Sequence, residues 1–479
     1  MSQIQIFQKI NTIEIYDEIK KVYTTYKRPW IIGFSGGKDS TLTLQLIWEA
    51  LSTLAPEELG THVYVIASDT GVENPLISNL IDRHMVAIDR AAAEQNLPIS
   101  AHKVVPDVND SFWVNLIGRG YPAPTTTFRW CTERMKIRPN NRFVRDKVSR
   151  YGEVIVALGV RKAESITREQ LINTYQVKGE ILSRHSSLSG AYIYTPIVDL
   201  TTEDVWNYLK NTESPWGEDN SKLVDLYSMA NANERPMVID DTTEATGNGR
   251  FGCWTCTVTN RDSSMEALVR REEFAWMQDL LDFRNEIFET TLPEEKHLFR
   301  DHKGRDGRVV YRNEKPVART YKFEYSKTLL RRLLELDKKF REKQDIPLVT
   351  KEELFEIRRL WRTERQDWDD SVRIIHEAVF GSASSILWPE DDNHNFDSEQ
   401  KLLLEESCRE HGIPGALVAK LIEEERKNIG LARRNTIFKA IGRILDEDWR
   451  TDEQIMADRK DEISIKVEHV KERATTCAS

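Results

Sequence analysis

The sequence predicts an α/β protein with a doubly wound parallel sheet, followed by a largely α-helical C-terminal region. Three observations support this prediction. Between residues 28 and 210, short continuous apolar runs alternate with helical stretches, as in parallel sheets covered by helices on both faces. Glycine-rich or polar segments follow several of these runs directly. Beyond residue 262 the pattern is mainly helical and highly charged.

The elements follow in order along the chain. Residues 1–27 are predicted to form an N-terminal helix that packs on the core. The predicted strands cover residues 30–34, 62–70, 101–105 and 153–160. The predicted helices cover residues 40–54, 74–95, 138–151 and 202–210. We therefore expect one domain over residues 28–262, a mostly helical region over 263–380 and a charged helical region over 381–479.

Composition narrows the class of protein. The chain has 479 residues, enough for two to four domains of ordinary size, and its formal net charge is −10. Such an acidic chain binds nucleic acid only through a local basic patch or a partner. No apolar run approaches the ~20 residues that span a bilayer, and the N-terminus lacks a signal-peptide pattern. We expect a cytoplasmic location without membrane contact. An odd count of 5 cysteines argues against a disulfide scaffold.

The most informative stretch is GFSGGKDST, residues 33–41, which follows the predicted strand WII. Gly36 and Gly37 let backbone amides approach an anion, and Ser35 and Ser40 add hydroxyl donors. Lys38 adds positive charge, and the helix that follows presents its N-terminal amides. The stretch therefore predicts a phosphate-binding loop, since a plain turn explains neither the lysine nor the hydroxyls.

Two common nucleotide-binding motifs do not match this loop. In a Walker A pattern the first glycine would fall on Ile32, and Asp39 stands where serine or threonine is required. The dinucleotide fingerprint fails because Gly33, Gly36 and Gly37 have the wrong spacing.

SGGKDS resembles the PP-loop of the ATP pyrophosphatase superfamily, which has an adenine nucleotide alpha hydrolase-like fold. The resemblance implies that this loop grips the pyrophosphate of ATP, with Mg²⁺, while a nucleophile attacks the α-phosphorus. The implied ATP-binding residues of the loop are Ser35, Gly36, Gly37, Lys38, Asp39 and Ser40.

Three further segments resemble the phosphoadenylylsulfate reductase-like branch of that superfamily. SDTGVENP contributes Asp69, although Asn74 and Pro75 also suit a helix start. FRWCTERMKIRP contributes Lys136 among four cations, any of which could equally be a solvated surface charge. GVRKAESITR contributes the implied nucleotide-binding residues Arg161, Glu164 and Arg168. The implied catalytic residues are Lys38, Asp39, Lys136 and Arg161.

Cys253 and Cys256 form a C-x-x-C pair within NGRFGCWTCTV. Two thiolates at this spacing can ligate one metal centre. A zinc ribbon needs a second pair, which is not nearby, and a thioredoxin-like site needs a strand and a helix around it. With Cys131, the pair suggests an iron–sulfur cluster, while simple packed thiols are the alternative.

The run RFGCWTCTV, taken with the other motifs, resembles the DNA phosphorothioation sulfurtransferases of the DndC type, including SspD-like members. The resemblance implies a [4Fe–4S] cluster, a DNA substrate, a cysteine desulfurase as sulfur donor and other phosphorothioation-complex proteins as partners. It covers residues up to about 270. A cubane needs four ligands, so Cys408 is a possible fourth ligand beside Cys131, Cys253 and Cys256. Cys477 is assigned no role.

Three alternatives stay open at this point. A phosphoadenylylsulfate reductase would carry a C-terminal E-C-G-x-H cysteine, of which SCREHG (407–412) is a weak echo. A tRNA thiolase would carry an RNA-binding domain. A non-catalytic ATP-sensing scaffold of a DNA-modifying complex would use the C-terminal half. There, the basic, leucine-rich stretch 319–343 could face DNA or a partner, or could be an ordinary amphipathic helix.

Overall fold

The computed structural model describes residues 12–162, 181–230, 252–313, 315–381, 386–389, 398–428 and 436–457. The chain divides into two compact units. The first comprises Met1–Phe112 and Pro124–Ile287, and the second comprises Trp113–Ala123 and Phe288–Ser479. The domain boundaries predicted from the sequence, including the one at residue 262, stay a prediction. Arg284, which lies beyond residue 262, hydrogen-bonds the backbone of residues 256, 259 and 260.

A six-stranded sheet forms the centre of the first unit. Its strands are β1 (Trp30–Gly33), β2 (Val63–Ser68), β3 (Ile99–Val104), β4 (Val154–Ala157), β5 (Ser183–Arg184) and β6 (Ala191–Tyr194). They lie in the order β3-β2-β1-β4-β6-β5. All neighbours are parallel except β5 and β6. The predicted parallel sheet is therefore confirmed, and β5 and β6 lie outside the four predicted strands.

Helices flank this sheet on both faces. Those of the first unit are α1 (Thr12–Tyr26), α2 (Lys38–Ser52), α3 (Pro75–Glu94), α4 (Trp130–Thr132), α5 (Arg138–Tyr151), α6 (Thr202–Asn211), α7 (Asn220–Ala230), α8 (Ser263–Val269) and α9 (Gln278–Glu289). A π-helical turn, Glu133–Ile137, joins α4 to α5. Short 3₁₀ helices cover Pro56–Glu58, Val108–Asp110 and Glu272–Met277.

The sheet is buried on both sides. All four residues of β1 are buried, as are all four of β4. On one face α5 packs Val144, Phe143 and Val148 against a cluster that includes Ile31 and Val156. Burial on both faces explains why the strands read as continuous apolar runs rather than as alternating patterns.

Local sequence signals set several helix starts. The Asn74 side chain accepts a hydrogen bond from the Leu76 amide, and Pro75 opens α3. Thr201 and Asp204 form a capping box at the start of α6. These caps explain why the predicted starts of both helices lie within one residue of the observed ones.

The second unit is mainly helical, as predicted. A π-helical turn, Val114–Gly118, precedes α10 (Lys296–Phe299), α11 (Phe323–Gln344), α12 (Lys351–Glu364), α13 (Ser371–Phe380), α14 (Ser398–Glu410), α15 (Gly415–Lys427) and α16 (Ile437–Leu445). A small antiparallel hairpin, β7 (Tyr311–Arg312) with β8 (Lys315–Pro316), lies between α10 and α11. In α11, Leu329, Leu330, Leu333 and Leu334 are fully buried, so these leucines belong to a core. In the described part of the chain, no helix is both long and apolar enough to cross a membrane.

Candidate active site

The predicted phosphate loop lies between β1 and α2, at the carboxyl edge of the sheet, where ligands bind in open α/β folds. Gly36 has a φ of +70°, a conformation that favours glycine. The Ser35 and Ser40 hydroxyls lie 3.0 Å apart, and the Ser40 hydroxyl donates to the Gly37 carbonyl at 3.0 Å. The loop is thus folded tightly around the N-terminus of α2, which is the arrangement that an anion-binding nest requires.

Three charged side chains are buried together behind the loop. Lys38 Nζ lies 2.8 Å from Asp39 Oδ2, and Arg161 Nε lies 2.7 Å from Asp39 Oδ1. Lys38, Asp39 and Arg161 are 5%, 1% and 2% exposed. Arg161 also donates to the Thr202 hydroxyl at 3.1 Å. One carboxylate therefore holds two cations from distant parts of the sequence at the phosphate loop.

The segment after β4 approaches this loop very closely at Gly159. A Cβ added to Gly159 would lie 2.7 Å from the Asp39 carbonyl oxygen and 2.9 Å from the Ser40 amide nitrogen. Both atoms belong to backbone that the first turn of α2 fixes in place. Only glycine allows the two segments this approach.

We expect Gly159→Ala to destabilise the protein by about 1–3 kcal/mol, because the new methyl group must displace the α2 backbone. The same displacement should lower any activity that depends on the phosphate loop. Thermal and urea denaturation measure the stability change. Gly60→Ala is the matched control, since a Cβ at Gly60 would meet nothing within 4 Å. Equal effects of the two substitutions would contradict this account of Gly159.

The loop after β2 carries Asp69, the second predicted nucleotide-binding element. Asp69 Oδ1 accepts a hydrogen bond from the Gly71 amide at 2.9 Å, and Oδ2 lies 2.9 Å from Lys103 Nζ. Lys103 also pairs with Asp82 at 2.8 Å. Although burial lowers the pKa of Lys103, its hydrogen bonds to the two carboxylates outweigh burial and raise the pKa above its ordinary value. The observed role of Asp69 is to order this loop.

The cysteine loop is joined to the same segment. The Asn74 amide donates to the Gly252 carbonyl at 3.2 Å, and the Trp254 amide donates to the Val72 carbonyl at 3.0 Å. Cys253 therefore lies beside Glu73, with Sγ 3.7 Å from Glu73 Oε1. Since β1 and β2 are neighbours in the sheet, the thiol loop and the phosphate loop lie at the same edge.

Lys136 contacts Glu73, beside the cysteine loop, rather than Asp39 at the phosphate loop. Its Nζ lies 3.4 Å from Glu73 Oε1, which also accepts a hydrogen bond from the Thr70 hydroxyl at 2.9 Å. The Thr70 hydroxyl is 3.5 Å from Cys253 Sγ. Glu73 thus connects a predicted catalytic lysine to a predicted metal-ligating cysteine.

Arg284 of α9 fixes the other end of the cysteine loop. This fully buried side chain donates to the Cys256 carbonyl at 2.9 Å, to the Asn260 carbonyl at 3.0 Å and to the Thr259 carbonyl. Burial lowers the pKa of its guanidinium below the ordinary value. A planar group with several donors suits three carbonyls that diverge from one loop.

The predicted cluster ligands do not form a metal site in this structure. Cys131 (on α4), Cys253 and Cys256 are half-buried cysteines that form no disulfide within the described ranges. Across the described ranges, no group of three or more His, Cys, Asp or Glu side chains is placed to hold a metal ion. Cys408 is buried on α14, which belongs to the second unit. The described residues therefore present two neighbouring thiols rather than a complete cluster ligand set, and the cluster stays a prediction.

Two of the predicted nucleotide-binding residues, Glu164 and Arg168, lie outside the described residues. The contact of Arg161 with phosphate also stays a prediction, since the structure places this side chain on Asp39 and Thr202. A surface cavity of about 590 Å³, lined by residues between Leu209 and Asp225, includes none of the predicted site residues.

Comparison with known families gives a match over residues 29–259, to the phosphoadenosine phosphosulfate reductase domain. Residues 29–259 are thus similar to a phosphoadenosine phosphosulfate reductase domain, and we call them the reductase-like domain. This reductase-like domain contains the phosphate loop, the Asp39 group and both cysteines of the C-x-x-C pair. Arg284 lies beyond its end.

Individual relatives are distant from this chain. An uncharacterized protein of Methanocaldococcus jannaschii is 27% identical over 201 residues, which are 42% of this chain and 35% of that protein. The match thus spans about a third of the relative's length.

Two solved structures match this chain at low similarity. The phosphoadenylyl-sulfate reductase of Candida auris is 16% identical, with coverage of 44% of this chain and 84% of that one, and a TM-score of 0.29. The U34-tRNA thiolase NcsA of Methanococcus maripaludis, solved with its [4Fe-4S] cluster, is 14% identical, with coverage of 45% and 72% and a TM-score of 0.27.

Sequence reasoning missed three residues of the reductase-like domain and its surroundings. Gly159 lies within a recognised motif, and its position directly after an apolar strand was an available signal. Glu73 lies in SDTGVENP, where the neighbouring Asn74 and Pro75 equally suit a helix start. Arg284 gave no signal, because it lies in an ordinary charged helical stretch and three of its hydrogen-bond partners are backbone carbonyls.

Proposed function

We propose that this chain is an ATP pyrophosphatase and sulfurtransferase of a DNA phosphorothioation system. It would adenylate a DNA backbone phosphate and deliver sulfur to the activated phosphorus. The observation that supports this best is the position of the Cys253–Cys256 pair, which is hydrogen-bonded to the loop after β2, next to the phosphate loop. Phosphate binding and sulfur chemistry would thus share one edge of the sheet.

In the first step, the phosphate loop holds the pyrophosphate of ATP with Mg²⁺, and a non-bridging DNA oxygen attacks the α-phosphorus. The bond from that phosphorus to pyrophosphate breaks, and AMP becomes attached to the DNA phosphate. Lys38, Arg161 and Lys136 would stabilise the negative charge that builds up on the phosphates. Asp39 would be a positioning residue, since it holds the Lys38 and Arg161 side chains in place.

In the second step, a sulfur nucleophile attacks the activated DNA phosphorus, and the bond from that phosphorus to AMP breaks. The products are phosphorothioate DNA and AMP. Activation is needed because an oxide ion is a very poor leaving group, whereas AMP is a good one. A cysteine desulfurase would supply the sulfur as a persulfide on one thiol of the Cys253–Cys256 pair, and other phosphorothioation-complex proteins would present the DNA. The terminal sulfur would attack the phosphorus, and the second thiol would then attack the inner sulfur. The S–S bond to the transferred sulfur would break, so that the cysteine pair is oxidised to a disulfide while the transferred sulfur is reduced to the phosphorothioate.

The match to the reductase domain favours a second candidate, a sulfur-assimilation enzyme. Here the thiols of Cys253 and Cys256 would become a disulfide and release two electrons and two protons. The two electrons would reduce the sulfur of an adenylylated sulfate, giving sulfite and the free nucleotide.

Pyrophosphate release from Mg²⁺-ATP by the purified chain tests the proposal. We expect Lys38→Ala to lower the rate by about 100- to 1,000-fold, because a buried cation aimed at the transferred charge is lost. Lys210→Ala is the control, since Lys210 is exposed on α6. A rate that Lys38→Ala leaves unchanged would refute the assigned role of the loop.

The substrate decides between the two candidates. Stimulation of pyrophosphate release by DNA favours phosphorothioation, while sulfite release from adenylylated sulfate favours the reductase. Iron and acid-labile sulfide measured after anaerobic purification, with Cys253→Ser as comparison, test the expected cluster. Absence of both activities would instead support the non-catalytic scaffold.

A further inference from the structure

Helix α5 has an unusual charge for this protein. Its sequence, RPNNRFVRDKVSRY, holds five basic residues and one acidic residue, whereas the whole chain has a formal net charge of −10. A local concentration of positive charge in an acidic protein is what nucleic-acid binding requires.

Three arginines of α5 form a row on its outer side. Arg138, Arg142 and Arg145 are spaced by four and three residues, which places them on one helix face, and all three are exposed. The opposite side buries Val144 against the sheet. From Arg138 to Arg145 the helix rises by about 10 Å. We call these three residues the arginine row.

The arginine row begins at the candidate active site. The turn Glu133–Ile137 runs directly into α5 and carries Lys136, whose Nζ contacts Glu73. Arg138 thus lies two residues after a lysine whose side chain contacts the segment joined to the thiol loop.

The acidic partners of the row differ in exposure. Arg142 lies 2.5 Å from Asp107, and their side chains are 53% and 65% exposed. Arg138 pairs with Asp110 at 3.2 Å and with Glu133 at 3.1 Å, and these two carboxylate side chains are 16% and 42% exposed. A solvent-exposed pair such as Arg142–Asp107 contributes little stability, so a phosphate can replace the Asp107 carboxylate at small cost. Arg145 has no ion-pair partner among the residues that the structure describes.

We propose that Arg138, Arg142 and Arg145 bind the phosphates of a nucleic-acid strand and lead it to the thiol and phosphate loops. The proposal deepens the proposed function. It rests on that function for the reason why the protein would bind a nucleic-acid strand. Because phosphates are common to DNA and RNA, the row selects a polyphosphate strand rather than a particular sugar or base sequence.

Fluorescence anisotropy of a labelled 20-nucleotide strand, as DNA and as RNA, tests the proposal across a series of KCl concentrations. We expect the double variant Arg142→Glu/Arg145→Glu to weaken binding by about 10-fold or more. We also expect the slope of the logarithm of the binding constant against the logarithm of the KCl concentration to fall by about two, one for each phosphate contact that is lost. Circular dichroism and the thermal midpoint establish that the variant is folded.

Two matched variants sharpen the test. Arg90→Glu reverses the charge of one arginine on the exposed side of α3, and Arg331→Glu does so on α11 of the second unit. Both should bind like the unaltered protein. Equal weakening by Arg90→Glu, or loss of binding with Arg331→Glu alone, would overturn the proposal, as would unchanged binding by the double variant.

The measurements also separate this proposal from the proposed function. Row-dependent binding without pyrophosphate release would refute the ATP chemistry and leave the arginine row standing. Pyrophosphate release that depends on Lys38, together with strand binding that does not depend on the arginine row, would refute the arginine row and leave the ATP chemistry standing. Tighter binding of RNA than of DNA would keep the row and exclude DNA as the preferred strand.

Discussion

Asp39→Asn should destabilise the first compact unit by about 3–5 kcal/mol, the usual cost of removing one partner of a buried ion pair. Asn keeps the shape of the side chain but removes its charge. Lys38 and Arg161, which are 5% and 2% exposed, would then lie in the interior without their carboxylate. The midpoint and slope of urea denaturation give the change in the free energy of unfolding.

Asp107→Asn provides the control for this experiment, because it removes the carboxylate of an exposed pair with Arg142. We expect a change below about 1 kcal/mol there. The double variant Asp39→Asn/Arg161→Gln should lose less stability than the sum of its two single variants, since both remove the same interaction. The interaction of Asp39 with Arg161 would be refuted as a source of stability by either of two results. One is that the two single losses of unfolding free energy add strictly in the double variant. The other is that Asp39→Asn lowers the free energy of unfolding no more than Asp107→Asn does.

Arg284→Met should cost about 3 kcal/mol and loosen the cysteine loop. The change leaves the carbonyls of Cys256, Thr259 and Asn260 without their shared donor in a buried place, where unsatisfied groups are costly. The rate of maleimide labelling at Cys253 and Cys256 should rise by about 10-fold, because the loop opens more often. Mass spectrometry of the labelled peptides measures the two rates separately.

Two comparisons make the Arg284 experiment decisive. Arg284→Lys should behave much like Arg284→Met, since one ammonium cannot reach three divergent carbonyls. Arg271→Met changes an exposed arginine nearby in sequence and should alter neither stability nor labelling. Labelling rates that do not respond to Arg284→Met would mean that the loop is held by its contacts to Val72 and Asn74 alone.

The parallel sheet and the phosphate loop could be predicted because their signals are local. A buried strand such as β4 reads as a continuous apolar run, and the helix starts at Pro75 and Thr202 carry their own caps. The glycines, hydroxyls and lysine of the loop lie within six consecutive residues. Each of these features depends on neighbours in the sequence.

The contacts that complete the site could not be predicted in this way. Asp39 and Arg161 are separated by 122 positions, and Glu73 and Cys253 by 180. Motifs identified both ends of each contact, but no pattern in one sequence says which carboxylate meets which cation or thiol. The place of Arg284 depends on backbone carbonyls, which every residue possesses and no sequence distinguishes.

The segment Trp113–Ala123 belongs to the second unit although residues of the first unit flank it, and this has a consequence for synthesis of the chain. The Trp113 indole donates to the Leu348 carbonyl, 235 positions later, and the Trp361 indole donates to the Ile117 carbonyl. At roughly 5–20 residues per second, a ribosome needs roughly 12 to 47 seconds to make that interval. During this time the apolar side chains of the segment have no native partners from α12, so the nascent chain exposes a surface that chaperones recognise.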